Sequence, residues 1–128
     1  MSASYLIIKL LNLIQRYWLS VTLFFLVIIT IFSLTPLKEL PPVPGSDKAH
    51  HFVAYAALIF PAALRKFDYW LLVGLFFVCW SGLIELIQPY VNRYGEVQDM
   101  VANTSGLLCG VILAILIRHF VILDSNPE

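Results

Sequence analysis

Asp47, His51 and Tyr55 stand at i, i+4 and i+8, so on a helix they form one stripe, with Lys48 beside its first member. At about 1.5 Å per residue the stripe descends roughly 12 Å along the helix axis. Ser81, Glu85 and Gln88 share a face at i, i+4 and i+7, Asp99, Asn103 and Gly106 do so again, and Arg93 and Glu96 lie between the two sets. These residue types suit acid–base chemistry on an anionic group. Histidine alone titrates near neutral pH without help, so His51 is the natural general acid or base; Asp47 or Glu85 would orient or supplement it, and Asp99 is a further candidate. Lys48 and Arg93 would hold an anionic head such as a phosphate, Arg93 in a bidentate manner, with Tyr55, Gln88 and Asn103 positioning it. No nucleophile stands out, because Ser81 and Thr104 have no adjacent base. His51, Glu85, Asp99 and Asp47 are chemically suitable metal ligands, but no H-x-x-x-H or comparable spacing is present, so no metal or cofactor is expected. His50 leaves the i+4 stripe and is given no role.

The elements that must carry these residues are apolar helices. The chain has 128 residues, 60% hydrophobic and 12% charged, with mean hydropathy +0.86. A soluble domain carries about 25% charged residues, so the expected solvent is lipid. A spanning helix needs roughly 20 residues, which limits this length to one domain over 1–128. The fold class expected is all-α and polytopic, with four transmembrane helices over about 18–35, 47–65, 69–88 and 99–118 and an N-terminal interfacial helix over about 4–17. Proline at Thr35-Pro36 ends the first span, Pro61 kinks the second and Pro89 stops the third. In the interfacial segment Lys9, Asn12 and Arg16 stand at i, i+3 and i+7 among leucines and isoleucines. A cleavable signal peptide is the rival for that region, but no small-residue A-x-A site follows Leu34. Lys38 to Gly45 (KELPPVPG) reads as an extended proline-rich linker. The zero formal charge argues against a nucleic-acid partner. Cys79 and Cys109 sit inside apolar runs with no CxxC and read as buried packing residues.

Four alternating spans bring the start of the second, the end of the third and the start of the fourth to one face, where the polar residues gather. Lys9, Arg16, Arg65, Lys66 and Arg118 fall on the other face and outnumber Lys38, Lys48 and Arg93, so both termini are expected in the cytoplasm and the polar cluster outside. An intramembrane charge costs about 2.5–3.5 kcal/mol on insertion scales, so Glu85 requires partners, for which Arg93, Lys48 and His51 are the candidates. Gly106 and Gly110 form a GxxxG that serves either packing within the monomer or a homodimer, with the first favoured.

Taken in order, Asp47-Lys48-x-x-His51-Phe52-x-x-Tyr55, Glu85-x-x-Gln88, Arg93 and Asp99-x-x-x-Asn103-x-x-Gly106 resemble the VanZ-like family of small bacterial membrane proteins. The resemblance covers about 47–110, and departs from the family in reading Pro89-Tyr90-Val91-Asn92-Arg93 where a Pro-Gly-Arg-like turn is common. It implies a bacterial cytoplasmic-membrane protein of the cell envelope, similar to an accessory protein linked to resistance to the glycopeptide teicoplanin. The partners it suggests are membrane lipids and a lipid-linked envelope intermediate or lipoglycopeptide, bound or processed at the polar cleft. Phe52, Tyr55, Tyr90 and Tyr94 would add apolar surface at its mouth, or form the ordinary interfacial aromatic belt. The alternative is a non-catalytic accessory subunit whose cluster is a polar staple between helices, Asp47 and Asp99 serving as N-terminal caps.

Overall fold

In a computed structural model, which describes residues 2–36, 39–40, 45–65 and 69–121, the chain is all helical, with no strand among those residues. Five helices follow in order: α1 Ala3–Arg16, α2 Trp18–Leu34, α3 Asp47–Arg65, α4 Trp70–Ile87 and α5 Val97–Phe120, with a 3-10 turn over Gln88–Val91 after α4. Most of the Lys38–Gly45 linker, and Lys66, lie outside the described residues.

The local chemistry explains the helix ends. Ser2 caps α1 by accepting from the Tyr5 N–H at 3.3 Å. Leu11 and Gln15, at i and i+4, turn inward, while Tyr5, Leu6, Ile7, Leu10 and Leu13 are exposed. At Tyr17 the chain bends by 81° into α2. That helix stops at Thr35, whose hydroxyl donates back to Ile31 O at 2.6 Å, because Pro36 has no N–H to continue it. Ser46 begins α3, its Oγ accepting from the Ala49 N–H at 3.1 Å. Asp47 is thus the first helical residue, and not the cap that the staple reading requires. Glu96 precedes α5 as its N-cap, without a capping bond from its side chain, so Asp99 is not a cap either.

The inner helix is α3. Tyr55, Leu58, Ile59, Ala62 and Leu64 are each at most 1% exposed; Tyr55, Leu58 and Ile59 join Ile29, Phe77 and Leu107 in one cluster, and Leu64 joins Leu11, Ala63 and Ala114 in another. Its closest partner is α5, which two glycines bring to backbone contact. A Cβ on Gly106 would stand 2.2 Å from Phe52 O, and one on Gly110 would stand 2.5 Å from Ala56 O. The face that the GxxxG pattern opens is therefore occupied by α3 of the same chain. On the outer side, Trp80 Nε1 donates to Thr30 Oγ1 at 3.0 Å and joins α4 to α2. Cys79 and Cys109 correct the sequence expectation: both are exposed. They lie on the outer faces of α4 and α5, where the surrounding residues are apolar and the surface suits lipid.

By length and composition two helical stretches are apolar enough to cross a bilayer, Trp70–Val91 and Val97–Phe120, and the bent pair α1–α2 passes when taken together. α3 is not among them. Its first five residues include Asp47, Lys48, His50 and His51, and beyond them only Val53 is exposed, so it has less need of a lipid-facing surface.

At the C-terminal end of α3, Gln15 Nε2 donates to Leu64 O at 2.9 Å, Arg118 also donates to Leu64 O, and Arg65 Nη1 reaches Gln15 O at 3.4 Å. The first two bonds use the Leu64 carbonyl at the end of α3, and the two that involve Gln15 latch α1 against the bundle. Replacing Gln15 with alanine removes one buried bond of about 1 kcal/mol. The expected result is faster hydrogen exchange confined to α1, with α3–α5 unchanged; unaltered exchange in α1 would show that the latch lies elsewhere.

Candidate functional site

The opposite end of the bundle collects the N-terminus of α3, the C-terminus of α4 and the N-terminus of α5. His51 lies one turn into α3 and is 9% exposed. Asn103 Nδ2 donates to Ser81 Oγ at 2.6 Å, which turns its Oδ1 toward His51 Nδ1 at 2.9 Å. With the amide in this orientation Nδ1 carries the hydrogen, and Nε2 faces the mouth of the cluster. There it meets two carboxylates, Asp47 Oδ2 at 3.6 Å and Asp99 Oδ2 at 3.8 Å. Both distances are beyond hydrogen-bond length. Tyr55 is 1% exposed and lies against Ser81 below this layer.

Lys48 forms the rim. Its ammonium donates to Asp99 Oδ1 and, at 2.6 Å, to Glu96 Oε2. The Asp99 side chain is 5% exposed, whereas those of Lys48, Glu96 and Asp47 are 38%, 47% and 56% exposed. The site is thus a buried chain of hydrogen bonds, Ser81–Asn103–His51, that opens onto exposed charges. Glu85 supports its wall: Oε2 accepts from the Glu96 N–H at 2.8 Å and fixes the start of α5, while Oε1 is buried without a partner among the described residues.

Arg93 and Gln88 are directed elsewhere. After the 3-10 turn, Asn92 adopts a left-handed conformation at φ 57°, which asparagine tolerates better than most residues, and its N–H returns to Gln88 O. The reversal carries Arg93 to the end of α2, where Nη1 donates to Phe32 O and Thr35 O, both at 2.9 Å. Gln88 Nε2 donates to Ser33 O at 3.0 Å. Those carbonyls belong to the last turn of α2 and have lost their helical donors, so the two side chains cap α2. Of the nine residues singled out in the sequence, His51, Asp47, Asp99, Lys48 and Asn103 are joined directly, Glu85 and Tyr55 adjoin them, and Arg93 and Gln88 bind α2.

Glu96 and Ser81 belong to the site as fully as the residues expected there. Ser81 had a signal in its i, i+4 relation to Glu85; Glu96 had only its place three residues before Asp99. Asp47, His51 and Asp99 also hold three ligand atoms within 4.8 Å of one another, a group able to take a metal ion. Tyr90 and Tyr94 near this end are 88% and 77% exposed and line no enclosed surface.

Against known proteins, the family model VanZ/LLP1 matches residues 2–118, taking in α1 and α2 as well as the three helices of the site. No curated protein and no solved structure matches the chain.

Proposed function

The chain belongs to the VanZ/LLP1 family, and from that premise we propose that it is a multi-pass protein of the bacterial cytoplasmic membrane that holds the polar head of an amphiphilic cell-envelope ligand. Four spans, formed by α2 to α5, would leave α1 on the cytoplasmic surface and the polar cluster facing outward. Family membership is consistent with a link to glycopeptide resistance, and a lipid-linked intermediate or a lipoglycopeptide suits a cleft flanked by lipid. The observation that carries the reading is the hydrogen-bonded chain from Ser81 through Asn103 to His51, which ends at exposed Asp47, Lys48 and Glu96. A staple would close on itself; this cluster is satisfied below and open above. His51 presents Nε2 to that opening and, where no ion occupies that nitrogen, is placed to exchange a proton with a bound head.

The accessory-subunit reading has its own support in Arg93 and Gln88, which act as staples to α2. Binding of a polyprenyl phosphate and of teicoplanin to the purified protein in nanodiscs separates the two. Saturable binding of either probe is expected. His51→Asn and Glu85→Gln should abolish any turnover of a lipid-linked probe, with Glu85→Gln largely preserving its binding. Absence of saturable binding for both probes, with both variants accumulating poorly in the membrane, would leave the staple as the function of the cluster.

A further inference from the structure

The cluster is overloaded with negative charge for a site that takes an anion. Asp47, Asp99, Glu96 and Glu85 converge there, and the lysine at the same place, Lys48, already donates to Asp99 and Glu96. Arg93, the other cation expected to hold an anionic head, is bound to α2 carbonyls. An incoming phosphate would meet carboxylates before it met a free cation. A further positive charge among these carboxylates would offset their repulsion.

The geometry points to a divalent transition-metal ion of the Zn2+ or Mn2+ kind held by His51 Nε2, Asp47 Oδ2 and Asp99 Oδ2. The histidine is nine-tenths buried, and its Nε2 makes no hydrogen bond among the described residues although it faces the two carboxylates. With Nδ1 donating to Asn103, Nε2 is left directed at both carboxylates without bonding to either, and one cation between the three atoms would engage them all. The 3.6 and 3.8 Å separations leave room for one, and all three ligand atoms lie within 4.8 Å of one another. Ligands about 2.1 Å from a tetrahedral ion stand about 3.4 Å apart, so His51 needs a few tenths of an ångström of closure toward each carboxylate. One imidazole and two carboxylates suit Zn2+ or Mn2+, and three protein ligands leave a coordination position open toward the exposed rim.

The surroundings are those of a held ligand set. Asn103 fixes the ring of His51, Ser81 fixes Asn103, and Lys48 takes the other oxygen of Asp99. Neither aspartate is needed as a helix cap, since Ser46 begins α3 and the cap position of α5 is Glu96. The ion deepens the ligand-binding reading, and rests on it only for the identity of the guest. A phosphate-type head would complete the coordination from the open side, with Lys48 beside it.

The test uses tag-free full-length protein in detergent, stripped with a chelator and titrated with ZnCl2 and separately with MnCl2, with no lipid probe present. One equivalent is expected to bind and to remain through gel filtration. Asp47→Asn, at an exposed position, should weaken binding by at least about tenfold, and Asn103→Ala by about tenfold to a hundredfold, the usual effect of removing a group that orients a ligating histidine. His50→Ala should leave it unchanged. X-ray absorption of the zinc-loaded wild type, which depends on no variant, should show nitrogen and oxygen neighbours without sulfur. Absence of stoichiometric binding of either ion, equal affinity in Asp47→Asn, or a sulfur neighbour would overturn the proposal. Metal binding without any binding of the polyprenyl phosphate or teicoplanin would refute the ligand reading alone. Probe binding unaffected by chelation would refute the ion alone.

Discussion

Gly106→Leu is expected to cost about 3 kcal/mol, in the upper part of the range for overpacking, and to disable the site together with the fold. A Cβ at Gly106 would stand 2.2 Å from Phe52 O and 3.1 Å from Phe52 Cα, both backbone atoms of the inner helix. No rotamer change removes that clash, so α3 and α5 must separate. His51 precedes Phe52 on α3, while Asn103 and Asp99 lie one and two turns before Gly106 on α5. Separation at this point therefore stretches the 2.9 Å His51–Asn103 bond and removes Asp99 from Lys48. Two other glycines set the baseline. At Gly74 a Cβ meets nothing within 4 Å, and at Gly82 it meets only the flexible end of Met100. Gly74→Ala should be neutral or stabilising by up to about 1 kcal/mol through helix propensity. Thermal unfolding in detergent, followed by size-exclusion fluorescence, gives the ranking. A Gly106→Leu protein that melts with Gly74→Ala would show that the helix contact is softer than the backbone distances require.

The helical class was legible because apolar composition and period act along one element at a time. Pro36 and Pro89 mark where regular helix stops, and the i+4 spacing of Asp47 and His51 puts them on one face, in both cases through properties carried by the residues themselves. The membrane class was legible for the same reason. Relations between elements were less so. Arg93 and Gln88 have the chemistry of ligand-binding residues, but their acceptors are the carbonyls of Phe32, Ser33 and Thr35, groups that every residue possesses and no side-chain pattern advertises. The left-handed turn at Asn92 sends Arg93 toward them, and that reversal is a backbone property hidden inside Tyr90-Val91-Asn92-Arg93. Hydropathy has a related blind spot for α3. The inner helix of a bundle meets protein on most sides, so it carries polar residues and is less apolar than lipid-facing helices, although its Leu58, Ile59, Ala62 and Leu64 are fully buried.

Arg93→Ala should destabilise the protein by about 3 kcal/mol without lowering the affinity of the folded fraction for metal or for a lipid probe. The guanidinium is 8% exposed and makes two hydrogen bonds to the end of α2, and bonds to a charged donor contribute about 1.5–3 kcal/mol each where they are buried. Removing the side chain leaves Phe32 O and Thr35 O without that donor, and Pro36 supplies no N–H in its place. Arg93→Lys should recover less than half of the loss, because one ammonium on a flexible stem does not reproduce a planar group fixed between two carbonyls. Gln88→Leu, which frees Ser33 O, should add a smaller loss in the same direction, since its donor is neutral. Chemical unfolding together with probe titration distinguishes this role from ligand binding. If Arg93 held an anionic head, Arg93→Ala would weaken the probe at unchanged stability and Arg93→Lys would largely restore it. The geometry requires the reverse: stability falls first, the retained affinity belongs to the cluster around His51, and α2 is the element that loosens.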